Sequence, residues 1–397
     1  MHLKLLYTLT AYPPSIGGAQ LHHHQLAQQL MQSHQVSVVS QWDSNRTDWL
    51  LGTTLMAPSE DLHYEVDGVC VLRIGFSPAE KLSLIPCTVL YYLAKDACIQ
   101  TISSRIQSHM VVSAQGCNLI HNVRIGREPI SFASLEIAHE LDVPFIFTPV
   151  HHPRWSGFRN RAFLKLMKQS DGIIALTQAE KEGMVQEGIS PERVFVTGIG
   201  PILADQADPE EFRRKHGVDG PMVLFLGQHY RYKGYLEVLE SAELVWKTFP
   251  ETHFMFIGPK VGNSEKHFEA RKDRRIHRFG IVDLQEKTDA LSATDILCVP
   301  SMQESFGGVY TEAWSFEKPV MGCPIPAVKD VIQQGEDGIL VRQEAHDIAE
   351  KIIFLIRNPA DAQRFGRAGK EKVERRFSWE RIATLTEAAY RDVLNKG

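Results

Sequence analysis

Two glutamates, Glu304 and Glu312, are the side chains whose spacing most directly indicates chemistry. They lie eight residues apart and enclose a Gly-Gly pair. The apolar run before them, residues 295–301, predicts a buried strand, and residues 309–316 predict a helix. The glycines therefore lie where a helix begins, and the free N–H groups of a helix start favour an anion such as phosphate. Because like charges repel, the carboxylates suit hydroxyl groups, so the pattern indicates a ligand that carries both phosphate and sugar.

The same pair also fits the two carboxylates of a glycoside hydrolase. The predicted elements argue against that interpretation. They place Glu304 on the loop before the helix and Glu312 about one turn into it, with the anion site between them. We therefore interpret the pair as marking two ends of one ligand, sugar and ribose, rather than as an acid and a base.

A second polar loop, Gly227–Gly234, follows the predicted strand Met222–Leu226. It contains Arg231 and Lys233. Two cations on a strand-to-helix loop can hold a diphosphate and neutralise its charge as it leaves. The alternative is two solvated cations, because Lys and Arg are mostly exposed. The position opposite the two glutamates favours the diphosphate interpretation.

Two loops of the first half are weaker candidates. Gly17 and Gly18 follow the first strand and precede a helix, which allows close backbone approach to a ligand. A simple tight turn is the alternative, and the G-x-G-x-x-G spacing is missing. His151 directly follows a predicted strand and could bind a sugar hydroxyl or carry a proton. Its alternative role is to satisfy a loop carbonyl.

Strand and helix patterns alternate along most of the chain. Apolar runs rich in β-branched residues and linked by helices predict parallel sheets covered on both faces. We therefore predict an α/β fold of two Rossmann-like, doubly wound domains that face each other across a cleft, with ligands at the carboxyl ends of the strands. The turn at Gly198–Pro201 and the polar segment after it divide the chain. The predicted parts are residues 1–200, 201–378 and a terminal helix at 379–397.

Three further segments carry predictions of their own. The run Met110–Ser113 predicts a strand. The apolar segment Lys81–Gln107 favours ordinary core packing over an acceptor-side or membrane-surface helix. The three histidines His22–His24 predict a solvated or partly buried helix start, because adjacent helical positions point in different directions and cannot converge on a metal ion.

Composition excludes several classes of function. The 397 residues carry a net charge of −5, which gives no indication of nucleic acid. Six separated cysteines without C-x-x-C argue against disulfides and zinc and fit a reducing cytosol. The first ten residues are strand-like rather than a signal peptide, and no apolar stretch reaches the ~18 residues that span a bilayer. We expect a cytoplasmic protein.

The chain resembles a retaining glycosyltransferase of family 4 (glycosyl transferases group 1), which has the GT-B fold. The resemblance covers nearly the whole length. Its most specific element is the E-x7-E pattern of Glu304 and Glu312 with a Phe-Gly-Gly filling. The supporting matches are the Gly17-Gly18 loop, Thr148-Pro-Val-His151-His152, the segment Gly227–Gly234 in place of G-R-L-x-x-x-K-G, and Phe377-Ser-Trp379-Glu.

The resemblance implies a role for each matching residue. In the first domain, on the acceptor side, Gly17 and Gly18 contact the donor, and His151 orients the sugar. The second domain binds the nucleotide-sugar, and the last helix packs back on the first domain. The family's loop arginine falls on Gln228, so Arg231 is the candidate that replaces its charge. The remaining implied contacts are Lys233 with the diphosphate, Glu304 with the transferred sugar, the backbone around Ser305, Phe306, Gly307 and Gly308 with sugar and phosphates, Glu312 with the ribose, and Ile281 with the base.

The implied activity is transfer of a sugar from a nucleotide-sugar to an acceptor hydroxyl with retention at the anomeric carbon. The acceptor is a glycan, a lipid-linked sugar or a small molecule, and peripheral contact with the inner face of the cell membrane stays open. No D-x-D-like motif accompanies the site, so no metal or other cofactor is expected. A nucleotide-sugar epimerase and a non-catalytic nucleotide-sugar-binding subunit are the alternatives.

Overall fold

The computed structural model describes residues 2–15, 17–44, 46–150 and 160–396. They form two compact units, one of residues 1–197 with 379–397 and one of residues 198–378. Each unit is built on its own largely parallel sheet.

The first unit contains an eight-stranded sheet in the order β3-β4-β2-β1-β5-β6-β7-β8. All neighbours are parallel except β3 and β4. The strands are β1 (Lys4–Ala11), β2 (Gln35–Trp42), β3 (Leu62–Val66), β4 (Val69–Arg73), β5 (Leu119–Val123), β6 (Phe145–Thr148), β7 (Gly172–Ala175) and β8 (Val194–Val196). The helices are α1 (Gly18–Leu30), α2 (Leu50–Thr53), α3 (Pro78–Leu90), α4 (Lys95–Ala114), α5 (Pro129–Glu140), α6 (Arg161–Gln169) and α7 (Gln178–Gln186).

Both faces of this sheet are covered, which explains the continuous apolar runs of its strands. In β1, Leu6 packs into one core with residues of α4, α5 and α6. Its neighbours Leu5 and Tyr7 pack into a second core with residues of α1. Successive strand residues point to opposite faces, so a strand buried on both sides is apolar at nearly every position.

The second unit contains a six-stranded, fully parallel sheet in the order β11-β10-β9-β12-β13-β14. The strands are β9 (Met222–Leu226), β10 (His253–Ile257), β11 (Ile276–Arg278), β12 (Ile296–Cys298), β13 (Val320–Gly322) and β14 (Gly338–Leu340). The helices are α8 (Pro209–His216), α9 (Tyr235–Val245), α10 (Ser264–Glu269), α11 (Leu284–Ala293), α12 (Gly308–Ser315), α13 (Pro326–Val331), α14 (Ala345–Arg357) and α15 (Pro359–Lys372). Because β9 and β12 are adjacent, the loops at their carboxyl ends lie side by side.

The last helix, α16 (Trp379–Leu394), belongs to the first unit. Ile382 and Tyr390 join the core of α1 and β1. The Tyr390 hydroxyl lies 2.7 Å from the Tyr7 hydroxyl on β1 and 2.7 Å from Nδ1 of His121 on β5. The chain therefore leaves its first unit, builds the second, and returns to complete the first.

Three sequence interpretations are corrected by the structure. Residues 110–113 end helix α4 and form no strand. All three histidines of His22–His24 are buried, rather than solvated or partly buried. Ordinary core packing holds for α4, but α3 buries only Leu84 and leaves its other apolar side chains exposed or half-buried.

Candidate active site

The loops after β9 and β12 meet at the carboxyl edge of the second sheet. The backbone N–H of Met302 donates to the carbonyl oxygen of Tyr232 at 2.8 Å, which joins the two loops directly. Gly234 ends the first loop with a φ of +82°, and a Cβ there would lie 2.7 Å from the Pro300 carbonyl oxygen. Both the left-handed backbone and the close approach require glycine at this position.

Lys233 and Glu304 are brought together by these two loops. The Lys233 ammonium donates to Glu304 Oε1 at 2.5 Å, and their side chains are 20% and 11% exposed. The sequence assigned them to different parts of a ligand, whereas the structure pairs them. An ammonium has three donors, so Lys233 keeps donors for a further anion while Glu304 neutralises it in this state.

Arg231 pairs with a different carboxylate. Its guanidinium lies 3.0 Å from the Glu237 carboxylate on α9 and is 61% exposed. Burial raises the pKa of Glu237, and the nearby Arg231 opposes that rise. The structure therefore brings Lys233 and Glu304 together but pairs Arg231 with Glu237.

Glu312 forms a second buried ion pair. Lys287 on α11 donates to Glu312 Oε1 at 2.8 Å and to the carbonyl oxygen of Ile202 at 2.7 Å. The two side chains are largely buried. Sequence reasoning missed Lys287, because a single helical lysine gives no pattern that distinguishes it from a solvated one.

The glycine turn before α12 separates the two glutamates, as predicted. Gly307 has a φ of +90° and precedes Gly308, the first residue of the helix. The Phe306 side chain is buried and packs edge-on against Phe377, with 5.2 Å between the ring centroids. Only the backbone of Phe306 can therefore contact a ligand, while Ser305 is half-buried beside it.

The other predicted residues belong to other segments of the chain. Ile281 follows β11 and is 62% exposed. In the first unit, Gly17 caps helix α1 with extended backbone, and Gly18 begins it. His151 lies outside the described residues.

Gln228, which stands where the family has its loop arginine, has an exposed side chain. The next residue, His229, is buried. Neither ring nitrogen of His229 has a hydrogen-bond partner among the residues that the structure describes. Aromatic rings surround it, including Phe225 and Tyr235. Burial lowers the pKa of His229 to about 3, so the imidazole is neutral. No sequence pattern distinguishes this buried histidine from an exposed one, because histidines are intermediate between core and surface residues.

Two features are absent from the described residues, a metal-binding cluster and a helix that could cross a membrane. No group of three or more His, Cys, Asp or Glu side chains among them is arranged to hold a metal ion. Of the helices that the structure describes, none has the length and apolarity to cross a membrane.

Solved structures with this architecture define the fold as GT-B. Anabaena Alr3699/HepE in complex with UDP and glucose has a TM-score of 0.73 at 17% identity, over 98% of this chain and 100% of that chain. Sucrose-phosphate synthase from Thermosynechococcus elongatus has a TM-score of 0.72 at 19% identity, over 99% and 100%. The predicted fold is confirmed.

The glycosyl transferases group 1 family model matches residues 208–372, which lie within the second unit. Alpha-maltose-1-phosphate synthase of Mycolicibacterium smegmatis is 26% identical over 57% of this chain and 64% of its own length. Phosphatidyl-myo-inositol mannosyltransferase of Mycobacterium leprae is 29% identical over 45% of this chain and 48% of its own. The chain thus matches about half to two thirds of these curated relatives. The resemblance to glycosyl transferases group 1 is confirmed over residues 208–372, whereas retention of configuration stays a prediction.

Proposed function

We propose that this protein transfers a sugar from a nucleotide-sugar to an acceptor hydroxyl with retention of the anomeric configuration. The observation that carries the proposal is the Lys233–Glu304 pair at 2.5 Å beside the glycine turn of α12, within the group 1 domain. A cation, a carboxylate and a helix start occupy one sheet edge, which matches a ligand with a diphosphate next to a sugar.

The proposed chemistry assigns separate work to these groups. In an oxocarbenium-like transition state, positive charge develops on the sugar and negative charge on the departing diphosphate. When the nucleotide-sugar binds, it displaces part of the contact between Lys233 and Glu304, and Lys233 then stabilises the leaving diphosphate. Glu304, with His151, orients the sugar. Glu312 accepts hydrogen bonds from the ribose, and Lys287 holds its carboxylate in place.

The remaining donor contacts belong to the same proposal. Backbone N–H groups from Ser305 to Gly308 meet the sugar and phosphates, Ile281 meets the base, and Arg231 adds charge outside the pair. Gly17 and Gly18 allow backbone approach in the first unit. We propose that the reaction needs no metal and takes place in the cytoplasm.

Peripheral membrane contact is a further part of the proposal, supported by α3 and the turn after it. Four exposed apolar side chains recur at helical spacing: Leu82, Ile85, Val89 and Leu93. Such a face can lie in the interfacial region of a bilayer. Co-sedimentation with vesicles of neutral and of anionic lipid tests this, with Val89→Asp expected to abolish binding. A wild-type protein that stays in solution with both vesicles contradicts the membrane contact.

The donor is identified by thermal stabilisation with UDP-, GDP- and ADP-sugars, beginning with UDP-glucose, because a ligand of the folded state raises the melting temperature. The stabilising donor is then incubated with a panel of glycan, lipid-linked and small-molecule acceptors, with and without EDTA. NMR of the product gives the anomeric configuration. An inverted product excludes retention, and loss of turnover with EDTA excludes metal independence.

Incubation without acceptor separates the proposal from its alternatives. An epimerised donor identifies a nucleotide-sugar epimerase. Donor binding without turnover across the panel identifies a binding subunit.

A further inference from the structure

One side-chain amide joins the two loops that carry Lys233 and Glu304. Nε2 of Gln343, which follows β14, donates to the carbonyl oxygen of Tyr232 at 2.8 Å and to that of Pro300 at 2.8 Å. Tyr232 directly precedes Lys233, and Pro300 lies four residues before Glu304. The amide therefore bridges the base of each loop.

The surrounding backbone makes this bridge tight. The Tyr232 carbonyl also accepts the N–H of Met302 at 2.8 Å, so one oxygen connects three segments of the chain. A Cβ at Gly234 would lie 3.1 Å from Nε2 of Gln343. The bridge thus occupies the space that the glycine leaves free.

Gln343 is itself held in place by its neighbours. The backbone N–H of Val341 donates to the Gly322 carbonyl at 2.8 Å, and that of Arg342 donates to Asp347 Oδ2 at 2.7 Å. These bonds fix the turn between β14 and α14. The amide is therefore presented from a rigid support.

We propose that Gln343 is a positioning residue that sets the distance between Lys233 and Glu304. A carboxamide nitrogen offers two donors, which is what two carbonyl oxygens require. Leucine has a similar volume but no hydrogen-bond donor. An ionised glutamate places an acceptor, rather than a donor, against the two carbonyl oxygens and repels them. The catalytic meaning of this bridge rests on the proposed function, but the bridging of the loops does not.

The test compares Gln343→Leu and Gln343→Glu with the same changes at Gln363, an exposed glutamine on α15. We expect Gln343→Leu to lower kcat about tenfold, the scale of one or two net hydrogen bonds, with a smaller change in donor KM. In Gln343→Glu, kcat should recover as the pH falls, because a protonated carboxyl regains one donor. The wild type and both Gln363 variants should lack this acid recovery.

Amide hydrogen exchange provides a measurement that needs no turnover. Exchange of the Met302 N–H should become about fivefold faster in Gln343→Leu and stay unchanged in Gln363→Leu. Unchanged Met302 exchange overturns the inference, whether or not kcat falls. If the wild type transfers no sugar from any donor, the proposed function fails, whereas the exchange result still decides whether Gln343 joins the loops.

Discussion

At the scale of single residues, Lys233 is the side chain whose removal should change the reaction most. Lys233→Ala removes a preorganised hydrogen-bond donor to the leaving diphosphate and leaves Glu304 without its ion pair. We expect kcat to fall roughly 10²-fold or more. Lys351→Ala is the control, because the one ion pair of Lys351 within the described part of the chain is with its exposed neighbour Glu350. Turnover near the wild-type value in Lys233→Ala would remove this lysine from the mechanism.

Glu312 should act on binding rather than on turnover. Glu312→Ala removes the proposed ribose acceptor and, among the residues that the structure describes, leaves Lys287 the Ile202 carbonyl as its hydrogen-bond partner. We expect donor KM to rise about tenfold with kcat changed less, since the ribose contact is the same in ground and transition states. Lys287→Met should shift KM in the same direction by leaving the carboxylate unoriented. A donor KM equal to the wild type in Glu312→Ala refutes the ribose role.

The sequence predicted the local structure around Glu304 and Glu312, whereas it did not indicate Lys287 or Gln343. The E-x7-E pattern, the glycine turn and Lys233 were visible because local spacing and loop position are properties of one short segment. Lys287 and Gln343 were not, because their partners lie 25 and 43 or more residues away along the chain. Contacts of that kind depend on which strands are adjacent, and the neighbour relation of β9 and β12 is a property of the folded sheet.

At the scale of elements, the Gly234 turn should tolerate no side chain. Gly234→Ala adds the cost of a positive φ and a contact of 2.7 Å with the Pro300 carbonyl oxygen. We expect the unit to lose about 2–3 kcal/mol of stability, of which about 1 kcal/mol is backbone strain.

Gly217→Ala is the matched control for that prediction. Gly217 also has a positive φ, of +62°, but an added Cβ there meets nothing within 4 Å. It should therefore cost only about 1 kcal/mol. Urea unfolding followed by tryptophan fluorescence measures both, and equal losses would show that the contact with Pro300 is relieved by a small shift of the loop.

Element prediction failed where one pattern serves two structures. The apolar run at Met110, Val111 and Val112 is so short that it fits a buried strand and the last turn of a helix equally. The prediction that α3 packs in the core failed for a different reason. Its apolar face is exposed, and a sequence pattern identifies an apolar face without identifying what covers it.

At the scale of the whole molecule, buried neutral histidines should make stability depend on pH. His23 hydrogen-bonds the Ala19 carbonyl oxygen, and His121 bonds the hydroxyls of Thr148 and Tyr390. Burial lowers the pKa of His23 to about 4 and lowers the pKa values of His22 and His121 well below 6.5. The three rings connect α1, β5 and α16, so they belong to the part of the first unit that the last helix completes.

The direction of the effect follows from proton binding. Below pH 6.5 the unfolded chain protonates these histidines, whereas the folded unit keeps them neutral until the pH nears their own lower values. The unfolded state then binds more protons, so stability is full above pH 6.5 and falls as the pH drops toward about 4, by about 1.4 kcal/mol per pH unit for each such group. Urea midpoints between pH 7.5 and about 4.5 measure the slope. His23→Gln should keep a neutral side chain and reduce that slope by one group, and an unaltered slope would show that His23 is protonated in the folded unit.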